Sequence, residues 1–366
     1  MNDASQTPDG QAPIEPPRVT HPSPPPLRSA ETETGNAANP ETKSEAPVAN
    51  GVDPNAIVQV KNLRKSFGST HAVDDISFSF DRGQIFGFVG PNGAGKTTTM
   101  RVLSTLEEPS SGAAYIDGHS VVQHPERVRK LVGYVPDLLP THSDINVEEY
   151  LDFFARAYGL RGEERDAAVH GVMEFTNLLG IKEKLLKALS KGMKQRVNLG
   201  RALIHDPDVL ILDEPAAGLD PRARVELREL LSLLAFEQNK AVFISSHILT
   251  ELTEICNGVV IIEQGRLLET GTIDEVTDRA RNITILRLRA LDPMDELRRS
   301  MLELPHVTGQ IRTVGESLEV EIEGGDEAAA DILTELNRRG HRICEFRPQA
   351  ANLEDIFMSI TEGKVQ

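Results

Sequence analysis

The sequence QIFGFVGPNGAGKT, residues 84–97, decides the fold of the larger part of this chain. Its first half is rich in β-branched and aromatic residues, which is typical of a strand. A segment with Thr, Met and Leu follows as far as Leu106 and indicates a helix. Between them, residues 90–97 fit the pattern G-x-x-x-x-G-K-S/T of a phosphate-binding loop. Strand, glycine loop and helix in this order predict a site for the phosphates of a nucleotide.

The residue types of the loop suit a triphosphate. Glycines let consecutive backbone N–H groups surround phosphate oxygens, and the dipole of the following helix favours an anion there. We expect Lys96 to contact the β- and γ-phosphates, and the Thr97 hydroxyl to bind Mg²⁺. The expected nucleotide contacts of this segment are Gly90, Pro91, Asn92, Gly93, Ala94, Gly95, Lys96, Thr97 and Thr98.

A pair of carboxylates supports the same site. The apolar residues 209–212, VLIL, predict a strand that is buried on both faces of a parallel sheet. Asp213 and Glu214 follow at its carboxyl end, the edge where α/β sheets bind their ligands. We therefore expect Asp213 to hold Mg²⁺, and Glu214 to orient and deprotonate a water that attacks the γ-phosphate.

The surrounding pattern is one of strands alternating with helices. Between residues 146 and 189 strand signals vanish and apolar residues recur at helical spacing, which predicts a helical insert. Further strands at 57–60, 76–80 and 241–245, with a helix over 221–238, favour a doubly wound α/β core.

Residues 189–196, LSKGMKQR, resemble the LSGGQ signature of the nucleotide-binding subunits of ABC transporters. The resemblance implies a P-loop NTPase core of the ABC ATPase type, with a RecA-like parallel sheet, N-terminal antiparallel strands and a helical subdomain over about 138–200. It implies ATP and Mg²⁺ as cofactors. Ser190 is also well placed to cap a helix, so that helix would present its N-terminus to a phosphate of ATP on an opposite subunit. The nucleotide contacts implied by the signature are Ser190, Lys191 and Gly192.

Three further positions match the family in order and spacing. The resemblance implies that Phe67 stacks on adenine and that His247 is the switch residue contacting the γ-phosphate. It also implies that Asp220, in the sequence Gly218-Leu219-Asp220, belongs to the D-loop that couples two nucleotide sites.

The chain departs from the family pattern at three places. Lys191 and Met193 replace a glycine and a glutamine of the signature, and Lys191 adds positive charge near the expected phosphate. Asp137, after Gly133-Tyr134-Val135-Pro136, stands where the Q-loop usually has glutamine. Because aspartate is shorter and anionic, we expect the contact of Asp137 with Mg²⁺ or the lytic water to be altered.

The last part of the chain, residues 281–366, predicts a second domain. Its elements follow the order β-α-β-β-α-β of the ferredoxin-like split βαβ and end in an amphipathic helix from Asn352. In LEVEIE, residues 318–323, apolar residues alternate with Glu, so one strand face should meet a core and the other water. This α+β domain is either a ligand-sensing module or a clamp that stabilises a dimer. We favour the clamp because no polar or metal-binding constellation stands out.

Composition separates a tail from these two domains. Residues 1–56 hold 11 of the 22 prolines and no Phe, Tyr or Trp, which predicts a disordered Pro-rich tail before an ATPase domain over 57–280. The chain carries 39 Lys+Arg against 56 Asp+Glu, a formal net charge of -17. Such an acidic balance argues against a broad basic surface, so nucleic acid is not an expected partner.

Two further segments point to a branch of the family. Residues 150–160 and 353–361 resemble bacterial ATPases of drug, antibiotic and polysaccharide exporters, which pair with a separately encoded membrane permease. This implies a homodimer that closes on ATP, a permease contact near residues 137–158, and a peripheral location on the cytoplasmic face of the plasma membrane. No run of 18 apolar residues predicts a span in this chain itself.

The alternative is a soluble ABC-type ATPase that acts on a macromolecular complex such as DNA ends or ribosomes. The DNA type needs a long coiled coil between Lys96 and Ser190, and the intervening sequence shows no sustained heptads. The ribosomal type usually has two phosphate loops, and this chain has one. A P-loop kinase for small molecules is a third possibility, but it has no use for the signature.

Overall fold

The computed structural model describes residue 53 and residues 55–137, 144–275 and 283–350. Its strands form three sheets. The first sheet contains β1 (Val58–Phe67), β2 (Thr70–Phe80), β4 (Ser111–Ile116) and β5 (His119–Ser120). The second contains β3 (Ile85–Val89), β6 (Val132–Val135), β7 (Val209–Leu212), β8 (Ala241–Ser246), β9 (Gly258–Glu263) and β10 (Arg266–Thr272). The third contains β11 (Ile283–Ala290), β12 (Val307–Val314), β13 (Ser317–Glu323) and β14 (Ile343–Ala350).

Helices connect these strands. Those between the strands of the first two sheets are α1 (Lys96–Leu103), α2 (Pro125–Leu131), α3 (Val147–Ala157), α4 (Gly162–Phe175), α5 (Lys191–Leu203), α6 (Pro221–Ser232) and α7 (Leu249–Thr253). Those between the strands of the third sheet are α8 (Met294–Leu302) and α9 (Gly325–Arg338).

The second sheet contains the strands that the sequence predicts to be buried on both faces. Its order is β10-β9-β3-β8-β7-β6, and all neighbours are parallel except β9 and β10. Alternate residues enter two cores: Ile85 and Leu210 pack with the helical insert, whereas Phe88 and Ile211 pack with the first sheet. The prediction of a doubly wound α/β core is confirmed. Only β8 separates β3 from β7, so their carboxyl ends lie at one edge of the sheet.

The first sheet is antiparallel and covers one face of the second. Five phenylalanines meet between the two sheets with ring centroids 5.1–5.8 Å apart, namely Phe78, Phe80, Phe86, Phe88 and Phe243. The sequence pattern predicts β1 and β2 but no strand at β4, β5, β6, β9 or β10. Short strands next to turns carry too few alternating residues to stand out, and tertiary pairing decides them.

The predicted helical insert is confirmed in the described residues from 144 onward, where α3, α4 and two short 3₁₀ turns precede α5. Asn146 begins α3 with a capping box: its side chain accepts from the Glu149 backbone N–H at 2.8 Å, and the Glu149 carboxylate accepts from the Asn146 N–H at 2.9 Å. Residues 138–143 of the predicted subdomain lie outside the described residues.

The third sheet has the order β12-β13-β11-β14, with every neighbouring pair antiparallel. Because β13 lies between β11 and β12, this is the predicted split βαβ of a ferredoxin-like fold. Leu318, Val320 and Ile322 are fully buried, whereas Glu319, Glu321 and Glu323 are not. The one-sided strand predicted from the alternation is therefore confirmed.

Several sequence predictions fall on residues that the structure does not describe. The Pro-rich tail lies outside the described residues up to residue 52, and so does the closing helix from Asn352. The three domain bounds therefore stay predictions. Among the described residues, no helix combines the length and the apolar character needed to cross a bilayer.

Candidate functional site

The phosphate loop connects β3 to α1 and is held by two close backbone approaches. A Cβ on Gly90 would lie 2.2 Å from the Ile262 carbonyl oxygen, and a Cβ on Gly95 would lie 2.4 Å from that of Ala72. Gly95 also has φ 104°, a left-handed conformation that favours glycine. No side chain caps α1 at Gly95, so its first backbone N–H groups are available to an anion. The loop geometry is that of a phosphate cradle.

Lys96 is 6% exposed and its ammonium group lies inside this loop. Its Nζ donates to the Gly90 carbonyl at 2.7 Å and to the Pro91 carbonyl at 3.3 Å. The same Nζ lies 3.3 Å from Oε1 of Glu214, which makes an ion pair across the sheet edge. A buried cation of this kind needs anionic partners, and phosphate oxygens can replace the carboxylate in that role.

Asp213 and Glu214 follow β7, and a serine from β8 holds both. The Ser245 hydroxyl donates to Asp213 Oδ1 at 2.8 Å and accepts from the Glu214 backbone N–H, also at 2.8 Å. Asp213 is 3% exposed and Ser245 is 1% exposed. Glu214 has φ 48°, an uncommon conformation for a residue with a side chain. Ser245 thus holds the Asp213 carboxylate and the strained backbone of Glu214 through one hydroxyl.

The Glu214 carboxylate lies between Lys96 and His247. Its Oε2 is 2.8 Å from His247 Nδ1, whereas its Oε1 faces Lys96. Oε1 is buried and makes no hydrogen bond of good geometry in the described part of the chain. The His247 side chain is 45% exposed. His247 therefore orients the carboxylate through Oε2, whereas Oε1 can still accept a hydrogen bond from a further donor.

Asp137 lies after β6, at the same sheet edge as Asp213, and is exposed. Its carboxylate makes no hydrogen bond or ion pair with any other described residue. Asn198 of α5 donates from Nδ2 to the Pro136 carbonyl at 3.1 Å, which ties this loop to the helical insert. Burial, followed by the negative charge of Asp213, raises the pKa of nearby Tyr134 to about 12, so its phenol stays neutral.

The signature residues lie at the start of α5. Ser190 caps this helix as predicted, because its hydroxyl accepts from the Met193 backbone N–H at 3.3 Å. Lys191 is exposed and extends toward the D-loop, where a Cβ on Gly218 would lie 2.7 Å from Lys191 Nζ. Gly192 is half-buried. Within the described ranges, no hydrogen bond or ion pair joins these residues to the phosphate loop of the same chain.

The remaining predicted contacts are at accessible positions. Phe67, at the end of β1, is 49% exposed, and Lys65 Nζ lies 4.8 Å from its ring centroid. Thr97 is exposed and Thr98 half-buried in the first turn of α1. Asp220 caps α6 by accepting from the Ala223 backbone N–H at 2.9 Å.

Sequence reasoning missed Ser245 and Ile262. Ser245 comes two residues before His247, but nothing in the spacing shows that it bonds both members of the acidic pair. The Ile262 backbone closes the phosphate loop from β9, and such a contact carries no sequence signal. Both residues act through contacts that depend on strand order.

The profile of the ABC transporter family matches residues 73–217. That of the ATP-binding protein DrrA1-3-like C-terminal domain matches residues 271–361. Nod factor export ATP-binding protein I of Cupriavidus metallidurans is 35% identical over 306 residues, 84% of this chain and 97% of that protein. Linearmycin resistance ATP-binding protein LnrL of Bacillus subtilis is 30% identical over 308 residues, 83% of this chain and 98% of that protein.

Solved structures share part of this fold. An ATP-binding subunit of an ABC transporter superposes with a TM-score of 0.56 and 31% identity, covering 61% of this chain and 93% of that chain. A dimeric ATP-binding cassette in a post-hydrolysis state with ADP and Pi gives a TM-score of 0.55 at 22% identity, covering 59% of this chain and 98% of that chain. The second likeness concerns the fold alone.

Proposed function

We propose that this chain, which belongs to the ATP-binding proteins of ABC transporters, uses ATP hydrolysis to power export through a separate membrane permease. Relatives at 33–35% identity over 84–87% of the chain establish the family, and with it the predicted ATPase activity and ABC-type fold. One observation carries the proposal for the site: the Glu214 carboxylate lies between Lys96 and His247 at the mouth of the phosphate loop.

Binding of ATP uses the cradle between β3 and α1. The backbone N–H groups that follow Gly90 surround the phosphates, with Lys96 as the charge on the β- and γ-phosphates. Since Lys96 is paired with Glu214 in this structure, the phosphates compete with Glu214 for the ammonium group. Nucleotide binding therefore releases Oε1 of Glu214 for chemistry. The exposed ring of Phe67 offers a stacking surface for adenine.

The residues at the sheet edge also fit Mg²⁺. The donor set of Thr97, Asp213 and Asp137 consists of hydroxyl and carboxylate oxygens, which this ion prefers. Ser245 fixes the Asp213 carboxylate, so this ligand is oriented in advance. When bound, Mg²⁺ neutralises charge on the β- and γ-phosphates.

Glu214 is the general base for ATP hydrolysis in this proposal. Its carboxylate accepts a proton from the attacking water while the water oxygen bonds to the γ-phosphorus. The bond from that phosphorus to the β-γ bridging oxygen breaks, giving ADP and phosphate. The hydrogen bond from His247 to Oε2 orients the carboxylate and keeps Oε1 directed at the loop.

A second copy of the chain completes the site. Ser190, Lys191 and Gly192 begin α5, and a helix N-terminus favours a phosphate group. Because no bond links them to the phosphate loop of their own chain in the described residues, we propose that they contact ATP on the partner. Asp220, at the start of α6, lies in the loop that would transmit closure from one site to the other.

Glu214→Gln tests the hydrolytic proposal. The variant keeps the shape of the side chain and one acceptor oxygen but lacks the base, so we expect ATP binding to persist while kcat falls by about a hundredfold or more. An ATP-bound dimer should then accumulate and appear in size-exclusion chromatography. Glu163→Gln, at an exposed position of α4, is the matched control and should leave both readouts unchanged. Parental hydrolysis by Glu214→Gln would place the base elsewhere.

A groove between the helical insert and the core supports the permease contact. It has a volume of about 430 Å³ and is lined in part by Leu106, Phe154, Tyr158 and Arg201. Leu106 is 53% exposed and Tyr158 43% exposed, and the Arg201 guanidinium lies 5.4 Å from the Phe154 ring centroid. Exposed apolar and aromatic groups beside a fixed cation suit an amphipathic helix of a membrane protein. This contact would hold the chain at the cytoplasmic face of the plasma membrane.

Sedimentation with membrane vesicles prepared from the source cells tests that contact. Leu106→Glu places a charge in the groove and should abolish co-sedimentation while ATPase activity in solution persists. Leu291→Glu, at a residue that is 63% exposed before α8, should sediment like the parent. Equal binding by both variants would refute the groove as the permease contact. No binding by the parent chain would favour the soluble, non-transport ATPase.

A further inference from the structure

Two ion pairs join the helix that follows the D-loop to the helix that follows the switch histidine. Arg224 of α6 lies 3.1 Å from Glu251 of α7, measured from Nη1 to Oε1. One turn further along α6, Arg228 pairs with Glu254, the residue that ends α7. Since α6 starts at the Asp220 cap and α7 starts after His247, both pairs connect two segments of the proposed nucleotide site.

Only the first pair reaches the turn that carries His247. Glu251 Oε2, the oxygen not used by Arg224, accepts from the Ser246 hydroxyl at 3.2 Å. That hydroxyl in turn accepts from the Ile248 backbone N–H at 3.0 Å. Ser246 is 4% exposed and the Glu251 side chain is 18% exposed. Glu251 therefore restrains the residues on both sides of His247, whereas Glu254 touches neither in the described structure.

Arg224 is partly exposed, and one nitrogen of its guanidinium is buried next to this ion pair. A cavity of about 300 Å³ lies between the two helices and is lined by both ion pairs and by Ala216 and Pro221 of the D-loop segment. Arg224 Nε is buried there without a hydrogen bond among the described residues. The Glu251 side chain is 18% exposed and the Arg224 side chain is 42% exposed, so the pair is partly open to solvent and its carboxylate end is the less screened by salt.

We infer that Arg224 and Glu251 are positioning residues for hydrolysis: through the Ser246 hydroxyl they hold His247 against Glu214 and link that contact to the D-loop. The inference rests on the role proposed above for His247 and adds a specific connection to it. Movement of α6, which begins at Asp220, would shift the His247 turn through this pair. Neither residue contacts the nucleotide, and their effect on the reaction passes through His247.

Steady-state ATPase assays of the full chain test this connection. Glu251→Ala should lower kcat by about tenfold and change KM for ATP by less than about twofold, because small displacements of a catalytic group are costly. Glu254→Ala and Arg228→Ala remove the neighbouring pair of the same helices and should stay within about twofold of the parent. The exchanged pair R224E/E251R should recover part of the lost rate. Ser246→Ala removes the hydroxyl that connects Glu251 to the His247 turn and leaves the ion pair in place. This variant is the alternative test if Glu251→Ala does not fold.

The decisive measurement is the combination with His247→Ala. If Glu251 acts through His247, Glu251→Ala should have no further effect on kcat in the His247→Ala background. A full additional loss there, or equal effects of Glu251→Ala and Glu254→Ala, would overturn the inference and leave the proposed function intact. Parental kcat in His247→Ala would instead remove the role of the histidine, and the inference with it.

Discussion

Ser245→Ala is the substitution whose consequences the structure allows us to work out most fully. The hydroxyl makes two hydrogen bonds of 2.8 Å, a buried one to Asp213 Oδ1 and a partly buried one from the Glu214 backbone N–H. Alanine leaves a buried carboxylate oxygen and a partly buried N–H without this partner. Each such group costs about 1–3 kcal/mol. We expect the free energy of unfolding to fall by about 3 kcal/mol, or roughly 9 °C in melting midpoint for a domain of this size.

Ser104→Ala is the matched control. Ser104 is 7% exposed, and its hydroxyl is buried without a hydrogen-bond partner in the described part of the chain. Its removal should therefore leave stability nearly unchanged or slightly raised. Both variants are compared with the parent by thermal and urea unfolding. Because Ser245 also fixes the strained backbone of Glu214, Ser245→Ala should lower kcat even at temperatures where the protein is folded.

Equal unfolding midpoints of Ser245→Ala and Ser104→Ala would contradict the expected loss of stability. A Ser245→Ala variant that loses stability but keeps the parental kcat would show that Glu214 keeps its orientation without the serine. A titration of ATP binding separates the two effects, since the Ser245 hydroxyl bonds to Asp213 and Glu214 and makes no hydrogen bond to Lys96 or the phosphate loop in the described structure.

Two further predictions concern the loop and the helical insert. Gly90→Ala should weaken ATP binding by about tenfold or more, near 1.4 kcal/mol, because its Cβ would meet the Ile262 carbonyl at 2.2 Å. Gly180→Ala has no atom within 4 Å of its Cβ and is the control; equal affinities in a nucleotide titration would contradict the steric argument. Burial lowers the pKa of His205 to about 4 from an ordinary 6.5, so folding favours the neutral ring. Stability contributed by this group is complete above pH 6.5 and is lost as pH falls toward 4, by about 2.5 kcal/mol at pH 4.5. His205→Gln should remove that part of the pH dependence of urea unfolding, and an unchanged profile would refute the assignment.

Sequence pattern predicted the fold best where an element's residues alternate or are continuously apolar. β7 and β8 were predicted as buried strands because both faces of a parallel sheet are covered. β13 was predicted because its Leu318, Val320 and Ile322 alternate with glutamates. The strands β9 and β10 were missed, although β9 supplies the carbonyl that closes the phosphate loop. Pairing with a neighbour, rather than local pattern, decides such strands.

Some residues of the candidate site could likewise be predicted from the sequence, and others could not. Residues 90–97 and the pair Asp213 and Glu214 were predicted from the chain alone, because each set is contiguous and its chemistry uses the local backbone. The sequence also predicted Ser190 as a helix cap, and that contact is present. The expectation for Asp137 stays a prediction, since its carboxylate has no bonded partner among the described residues.

The glycine stretch of residues 84–97 by itself determined that this chain has a phosphate loop, because a strand, a tight loop and a helix are specified by neighbours in sequence. Only the tertiary structure decided what surrounds Glu214. Ser245 is 31 residues away and His247 is 33 residues away along the chain. The strand order β3-β8-β7 brings them to one edge, and strand order arises from packing both faces of the sheet. Contacts between residues so far apart along the chain produce no periodic pattern in the sequence.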